Sequence, residues 1–273
     1  MRLCFLAAVL VLEAGSASAD EPQPVKQRHV FGTLHGFPSM SDTAGQVIAD
    51  GELTQERSAD RLHVRIRWDF ADGREVEEHD EFQVDKVLAQ TRFSWVETRK
   101  GTELHRFEID FAAGKSWAMT RNDKGETERE DSTMDLPAGR AFAGYGTALA
   151  VGELSLKQGE KGRITFVAFT PKPHDVTLEV TRDQVERLSV AGRSIPTDRY
   201  TLHAAIPFPA SIFVSAKDAH LWFTHAAPPA LVRAEQNLAA KDDPVVVIDV
   251  TSRGAAHPAK RSAGQEGSEG ASR

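Results

Sequence analysis

The stretch that most constrains the fold of this chain is RLHVRIRWDF, residues 61–70. Apolar side chains stand at every second position, and polar side chains fill the positions between them. The apolar set is Leu62, Val64, Ile66, Trp68 and Phe70. A β-strand sends successive side chains to opposite faces, so this unbroken alternation predicts a strand with one buried and one solvent-facing row. The chain therefore contains a sheet with one buried face.

A turn signal follows this strand at once, at Asp72 and Gly73. An Asp-Gly pair between alternating segments is typical of a tight hairpin, because its backbone accepts the positive φ angles that the turn requires. Residues 74–84 form the predicted return strand and carry many acidic side chains. We expect these carboxylates to lie near Arg65 and Arg67, since opposite charges on paired strands attract.

Further short alternating segments, separated by turn residues, continue this pattern. They predict strands at 46–54, 87–97, 103–111, 116–120, 163–169, 175–181, 187–190, 199–204, 210–214, 220–224, 231–236 and 245–250. One alanine-rich segment lacks the period of two, and its Pro137 suits the first turn of a helix. The predicted fold is mainly β: a curved antiparallel sheet or half-barrel in two lobes, with one helix near residues 137–150. The pattern leaves open whether the two lobes share one sheet.

The two ends of the chain differ from its body. Residues 1–19 combine a basic start, an apolar run and the small residues Ala17-Ser18-Ala19, which predicts a signal peptide cut before Asp20. Residues 253–273 contain no large apolar side chain, so we expect a disordered tail. Residues 20–252 are then a single β-rich domain, in the periplasm or secreted after the signal peptide is removed.

Composition excludes several classes of site and partner. The one cysteine, Cys4, lies inside the signal peptide, so the mature chain has no thiol for a disulfide or a thiolate metal site. The apolar run is too short to span a bilayer, and we expect no transmembrane segment. A net charge of −7 without a clustered basic face argues against nucleic acid as a partner.

No catalytic or metal-binding motif stands out. His220 and His225 are an odd number of residues apart on a predicted strand, which sends them to opposite faces. Neither H-E-x-x-H nor G-x-S-x-G occurs, so no catalytic residue, metal ligand or cofactor is assigned, and a protein without enzymatic activity is favoured. A Ser/His/Asp triad from distant strands stays open as a lesser alternative, because triads are defined by geometry.

The acidic run EEHDE, residues 77–81, allows two interpretations. A calcium site is one, although the run lacks the loop spacing and central glycine of such sites. The favoured interpretation is a solvated edge strand, whose charges prevent sheets from pairing edge to edge.

Aromatic side chains are the remaining candidates for a binding site. The candidate ligand-binding residues are Trp68, Phe70, Trp95, Trp117 and Trp222. On the concave side of a curved sheet, large aromatic side chains line apolar pockets that hold acyl chains. They also fill ordinary cores, and this second role is the more common one.

Three short motifs in the C-terminal half carry a resemblance. IPTDRY at 195–200 precedes KDAHLWF at 217–223 and then PALVR at 229–233. Over about residues 160–250, this order resembles an uncharacterised family of bacterial periplasmic β-rich proteins, classed as a domain of unknown function. The resemblance implies a cell-envelope β protein of unassigned activity, and it carries over no catalytic residue.

Together these features predict a non-enzymatic protein of the cell envelope. In the first hypothesis it binds an apolar ligand or lipid in the concave face of its sheet. In the alternative it is a structural or assembly protein that docks on an envelope partner. An envelope hydrolase is the lesser alternative.

Overall fold

The computed structural model describes residues 21–250 except 123, 170–171, 191, 206–216 and 239–242. The predicted signal peptide, the predicted tail and the strand predicted at 210–214 lie outside these residues and stay predictions. Sixteen strands and one helix form within the described part of the chain. In chain order they are β1 (Leu34–Gly36), β2 (Ser39–Asp42), β3 (Val47–Ser58), β4 (Arg61–Phe70), β5 (Arg74–Val84), β6 (Leu88–Arg99), β7 (Thr102–Asp110), β8 (Lys115–Arg121), β9 (Thr127–Thr133), β10 (Ala141–Phe142), α1 (Tyr145–Glu153), β11 (Lys161–Ala168), β12 (His174–Val190), β13 (Arg193–Ala204), β14 (Ala219–Thr224), β15 (Leu231–Asn237) and β16 (Val245–Asp249).

All these strands belong to one sheet, in the order β10 to β16 and then β2 to β9, with β1 beside β3. The pairing of β16 with β2, which sets Ile248 opposite Met40, joins the two halves of the chain. Neighbouring strands are antiparallel except for the short β10–β11 pair. The prediction of a mainly β, curved antiparallel sheet is confirmed, and the two lobes share one continuous sheet.

The hairpin of β4 and β5 has the predicted form. Exposure along β4 alternates at every residue, and Gly73 in the turn has φ +83°. On the solvent side, the Arg65 Nε–Glu77 Oε1 distance is 2.5 Å and Arg67 Nη2 lies 3.3 Å from Glu75 Oε2. The charged row of β4 is therefore paired with the acidic side chains of the return strand at these two arginines.

The sheet curls around two hydrophobic clusters, of which the larger forms the main core. Buried side chains from both halves of the chain pack into it, among them Leu62, Val64, Ile164 and Val180. We call the face that carries them the inner face. After β11, Phe169 stacks on Phe107 with ring centroids 4.6 Å apart, although β11 and β7 are distant in the strand order. The β10–β11 edge therefore lies over the inner face of β6 and β7, and the sheet does not close into a barrel.

One helix is confirmed, but its predicted start is wrong. Pro137 lies in a turn, where its carbonyl accepts a hydrogen bond from the Arg140 N–H, and α1 begins only at Tyr145. Gly144 precedes the helix with φ +49° and ψ −135°, a conformation that only glycine adopts readily. Within the described residues, no helix has the length and apolar character needed to cross a membrane.

Candidate functional site

Three of the five candidate aromatic residues face the core. Trp68 and Phe70 project from β4 onto the inner face and are 7% and 8% exposed. Trp95 on β6 is partly buried, and its ring stacks on Phe107 with centroids 5.0 Å apart. The inner face therefore has a wall of aromatic side chains at β4, β6 and β7.

The other two lie on the opposite, outer face. Trp117 alternates with the buried Ala118 on β8, and the Arg129 guanidinium stacks over its ring at 4.2 Å. Trp222 is on the side opposite Phe223, and its indole N–H donates to Glu186. The structure thus does not bring the five aromatic residues together on one face, as the concave-pocket hypothesis expected.

Helix α1 fills the space enclosed by the inner face, and its N-terminus sits unusually close to the sheet. A Cβ on Gly144 would lie 2.3 Å from Glu78 Oε1 and 2.4 Å from Phe93 Cε2. A Cβ on Gly146 would lie 2.6 Å from Gln90 Oε1. Gly144 and Gly146 therefore serve close packing, because a side chain at either position would clash with the sheet.

The groups beneath the helix are polar. Glu78 and Asp80 on β5, called the acid pair below, point to the inner face beside Gln90 on β6. The Tyr145 N–H donates to Glu78 Oε1 over 2.6 Å, and the Gly146 N–H donates to Asp80. Gln90 Nε2 donates to Asp80 Oδ1 over 2.6 Å, while Gln90 Oε1 accepts from the Ala143 N–H. The acid pair thus caps two of the N–H groups that the first turn of a helix leaves unpaired.

Burial strongly affects how this pair ionises. Asp80 is 1% exposed, and burial together with the neighbouring Glu78 carboxylate raises the pKa of Asp80 well above its usual range. Burial also raises the pKa of Glu78, although the Tyr145 N–H opposes this shift. Burial and the two carboxylates raise the pKa of the Tyr145 hydroxyl as well. Buried titratable groups with raised pKa values are concentrated at functional sites in proteins.

The interpretation of residues 77–81 as a solvated edge strand does not predict the acid pair. That interpretation is wrong, since β5 lies between β4 and β6 in the middle of the sheet. The sequence does contain a signal for the acid pair, namely the alternation of inward- and outward-facing positions along the strand. Val76, Phe82 and Val84 are buried, and Glu78 and Asp80 share their alternation and therefore their face.

A second buried carboxylate lies at the other end of the helix. Glu153, the last residue of α1, is 3% exposed and accepts hydrogen bonds from the Arg28 and His29 N–H groups. His29 Nδ1 lies 3.2 Å from its other oxygen. Val25, in the same N-terminal segment, donates its N–H to Gly139 O and accepts from the Leu88 N–H. Glu153 therefore fastens the N-terminal segment over the end of the helix.

The histidines do not form a hydrolytic triad in the described part of the chain. Thr201 is the hydroxyl residue beside a histidine, 3.0 Å from His220 Nδ1, but its O–H donates to Asp183 over 2.6 Å. A nucleophile must instead donate to the histidine, so this chain of bonds runs in the wrong direction. His225 pairs with Asp198, away from His220. No three His, Asp or Glu side chains among the described residues are placed to hold a metal ion.

Two shallow grooves open on the surface of the sheet and not at the acid pair. One, of about 400 Å³, lies around the bulge of β12 between Thr181 and Gln184. The other, of about 440 Å³, is lined by residues of β4, β5, β6 and β7. Among them are Arg61 and Gln83, which lie opposite each other on β4 and β5. The inner face itself is occupied by α1 and aromatic side chains.

Comparisons with known proteins add little to this picture. No protein-family model matches the chain, and no curated protein is significantly similar to it. Among solved structures, a match is the hypothetical lipoprotein YmcC from Escherichia coli K12, which is 12% identical. The superposition has a TM-score of 0.34 and covers 79% of this chain and 82% of that chain. At so low a TM-score, the likeness carries no argument about function.

Proposed function

We propose that this chain is a non-enzymatic protein of the cell envelope that binds an apolar ligand, such as an acyl chain, against the inner face of its sheet. In this proposal α1 occupies the ligand site when no ligand is bound. The predicted signal peptide and the periplasmic resemblance support the location. The ligand class follows from the aromatic wall of Trp68, Phe70 and Trp95.

The size of the helix fits this role. Nine residues of α-helix are about 13 Å long and about 10 Å wide, which corresponds to a volume of about 1,000 Å³. Ligand pockets are usually about 300–1,000 Å³. Displacement of α1 alone would therefore open a site large enough for an acyl chain, with no change in the pairing of the strands.

The observation that carries the proposal is the weakness of this helix as part of a core. Its cap residue, Gly144, offers no side-chain hydrogen bond, and neither its first nor its last turn has a charge that favours the helix dipole. Gly146 and Gly152 within it each cost about 1 kcal/mol relative to alanine. A helix of this length is marginal in isolation, so its place on the inner face depends on its contacts with the sheet and the acid pair beneath it.

A lipid-binding experiment tests the proposal. Full-length protein purified from membranes is examined by native mass spectrometry, and delipidated protein is titrated with a fluorescent fatty acid. We expect bound lipid, and saturable binding that weakens at least about tenfold in Trp95→Ala, because that ring forms part of the wall. Trp117→Ala is the matched control and should bind as the wild type does. Protein that carries no lipid and binds no fatty acid would contradict the proposal.

A second candidate is a structural or assembly protein that docks on an envelope partner. The observation in its favour is that the inner face is filled, as expected of a scaffold. Crosslinking in cells separates the two functions. One reproducible partner, together with the absence of lipid, would support the scaffold, and a free monomer that binds fatty acid would refute it.

A further inference from the structure

The contact between α1 and the sheet includes a buried oxygen atom that lacks a hydrogen-bond donor. Asp80 Oδ2 is fully buried and receives no hydrogen bond from the described residues. Its other oxygen accepts from Gln90. Glu78 stands two residues before Asp80 on the same face of β5, also beneath the first turn of α1. Two buried carboxylates this close together favour holding one proton between them, and such a proton gives the unpaired Asp80 oxygen a hydrogen-bond partner.

We propose that the proton shared by Glu78 and Asp80 holds α1 in place, and that its loss to solvent releases the helix from the inner face. The inference concerns regulation of the ligand site and rests on the function proposed above. The chemistry is a simple ionisation: the O–H bond of the acid pair breaks, the proton passes to water, and two negative charges remain under the helix.

The surroundings of the acid pair offer little to offset a second negative charge. On β4 the residues opposite Glu78 and Asp80 are Ile66 and Val64, and on β6 they are Trp95 and Phe93. Among the described residues, two other polar groups face the pair: Gln90 of β6, which is neutral, and the Tyr145 hydroxyl of α1. His79 of β5 acts on Glu78 only through its charge. Farther along the inner face, Arg74 is paired with Glu97.

His79 does not neutralise the pair. Its side chain points to the outer face, where Nε2 lies 3.0 Å from Glu77 Oε1. The hydrogen bonds from the Tyr145 and Gly146 N–H groups favour ionisation, but burial and mutual repulsion outweigh them. The doubly ionised pair is therefore unfavourable while the helix covers it, and becomes acceptable once water reaches it.

The sign of the pH dependence follows from linkage. The covered pair binds a proton more tightly than a solvated pair, whose carboxylates titrate near pH 4. Between about pH 4 and the raised pKa of Asp80, the protein with α1 on the inner face (the seated state) holds more protons than the protein with α1 displaced (the released state). A rise in pH through this window therefore favours release of α1. Each pH unit changes the ratio of released to seated helix by up to about tenfold per proton.

Asp80→Asn removes the ionisation while keeping the hydrogen bonds. The new amide N–H replaces the shared proton toward Glu78, and the amide oxygen still accepts from Gln90 and Gly146. Glu78→Gln is the second variant, should Asp80→Asn fold poorly. Glu77→Gln is the matched control, because this carboxylate lies on the same strand but faces solvent and pairs with Arg65.

The experiment is hydrogen exchange of full-length protein, without ligand, between pH 5 and pH 8. It compares protection factors for the amides of α1 with those of β4. We expect protection of α1 to fall at least about tenfold as pH rises, and protection of β4 to fall less. The change should shrink to about twofold or less in Asp80→Asn or Glu78→Gln, and persist in Glu77→Gln. Constant protection of α1 in the wild type would overturn the inference, as would a fall shared equally by β4 or an unchanged fall in both test variants.

The ligand-free readout separates this inference from the proposed function. If protection of α1 follows pH as expected but no fatty acid binds, the proton-linked release stands and the ligand proposal fails. If fatty acid binds while α1 shows no pH dependence in any form of the protein, the ligand proposal stands and the inference about the proton is wrong.

Discussion

Substitution of Gly144 by alanine should destabilise the protein more than a typical surface change, for two reasons that the structure separates. The new methyl group would lie 2.3 Å from Glu78 Oε1, which the Tyr145 N–H holds in place, and 2.4 Å from the buried Phe93 ring. Overpacking of this kind costs about 1–3 kcal/mol. The backbone conformation at φ +49° and ψ −135° adds about 1–3 kcal/mol for a residue with a Cβ.

Alanine also reduces the entropy of the unfolded chain, which returns about 0.4–1 kcal/mol. These contributions sum to a net loss of about 1–6 kcal/mol in the free energy of unfolding for Gly144→Ala. The assay is urea denaturation followed by far-UV circular dichroism, with the same m-value required for both proteins so that midpoints can be compared.

Gly73→Ala is the control for the backbone contribution. Gly73 also has a positive φ, +83°, but a Cβ there would meet no atom within 4 Å. Its loss should be about 1 kcal/mol, from the left-handed backbone alone. The difference between the two variants contains the close approach of α1 to the acid pair and the larger backbone cost at Gly144. Equal losses, within about 0.5 kcal/mol, would refute the claim that the helix is seated on this contact.

Three further predictions concern other contacts of the chain. Trp68→Ala should cost about 3–5 kcal/mol in urea denaturation, and Trp117→Ala about 1 kcal/mol or less, because only Trp68 lies in the core; similar losses would contradict this placement. Glu153→Ala should cost about 1–3 kcal/mol, since it leaves the Arg28 and His29 N–H groups without their acceptor, and should speed limited proteolysis near residue 28. Burial acts to raise the pKa of Glu77, but Arg65 outweighs it and the pKa is lowered overall, so the stabilisation by Glu77 should be present at pH 7 and lost as pH falls below about 4. Glu77→Gln should therefore lower the free energy of unfolding by less than about 1 kcal/mol at pH 7 and by less still at pH 3. A larger loss at pH 3 than at pH 7 would contradict this prediction.

Local pattern was enough to predict the N-terminal hairpin, whose strands β4 and β5 have the predicted bounds. Alternation determines which residues face the core, and the Asp-Gly turn determines the register of the return strand. The same reasoning failed for β9, whose sequence TEREDST has no apolar residue. An exposed edge strand buries almost nothing, so it leaves no periodic hydrophobic signal.

The joining of the two halves could not be predicted from local pattern. β16 pairs with β2 across about 200 residues of chain, and periodicity carries no information about which distant strand is the neighbour. The placement of Trp117 and Trp222 was open to prediction. On β8, Ala118 is buried, and on β14, Leu221 and Phe223 are buried beside Tyr200, so parity sends both tryptophans outward.

The acid pair shows why charge counts alone mislead in a strand. All five residues of the run EEHDE are polar, as in a solvated edge strand, yet Glu78 and Asp80 share the inward-facing alternation of Val76 and Phe82. A polar residue at an inward position needs a partner, and here the partners are the N-terminal N–H groups of α1. The hydrophobic periodicity of the α1 sequence does not predict this contact, because the helix approaches the acid pair through glycines, which lack a side chain.

A variant that weakens the contact between α1 and the acid pair distinguishes two roles of the helix: α1 either occupies a ligand site or is simply part of the core. If α1 blocks the ligand site, the apparent dissociation constant exceeds the intrinsic one by the inverse of the fraction of molecules with the helix released. Gly144→Ala weakens the contact that holds α1 on the inner face, so it should lower the stability of the protein and at the same time tighten fatty-acid binding. The dissociation constant should fall by up to about tenfold for each 1.4 kcal/mol by which this contact is weakened. A helix that only supports the fold gives the opposite result, because its loss damages the aromatic wall and weakens binding. Stability and affinity that change in opposite directions in this one variant would therefore support the ligand-site role of α1, and a parallel loss of both would refute it.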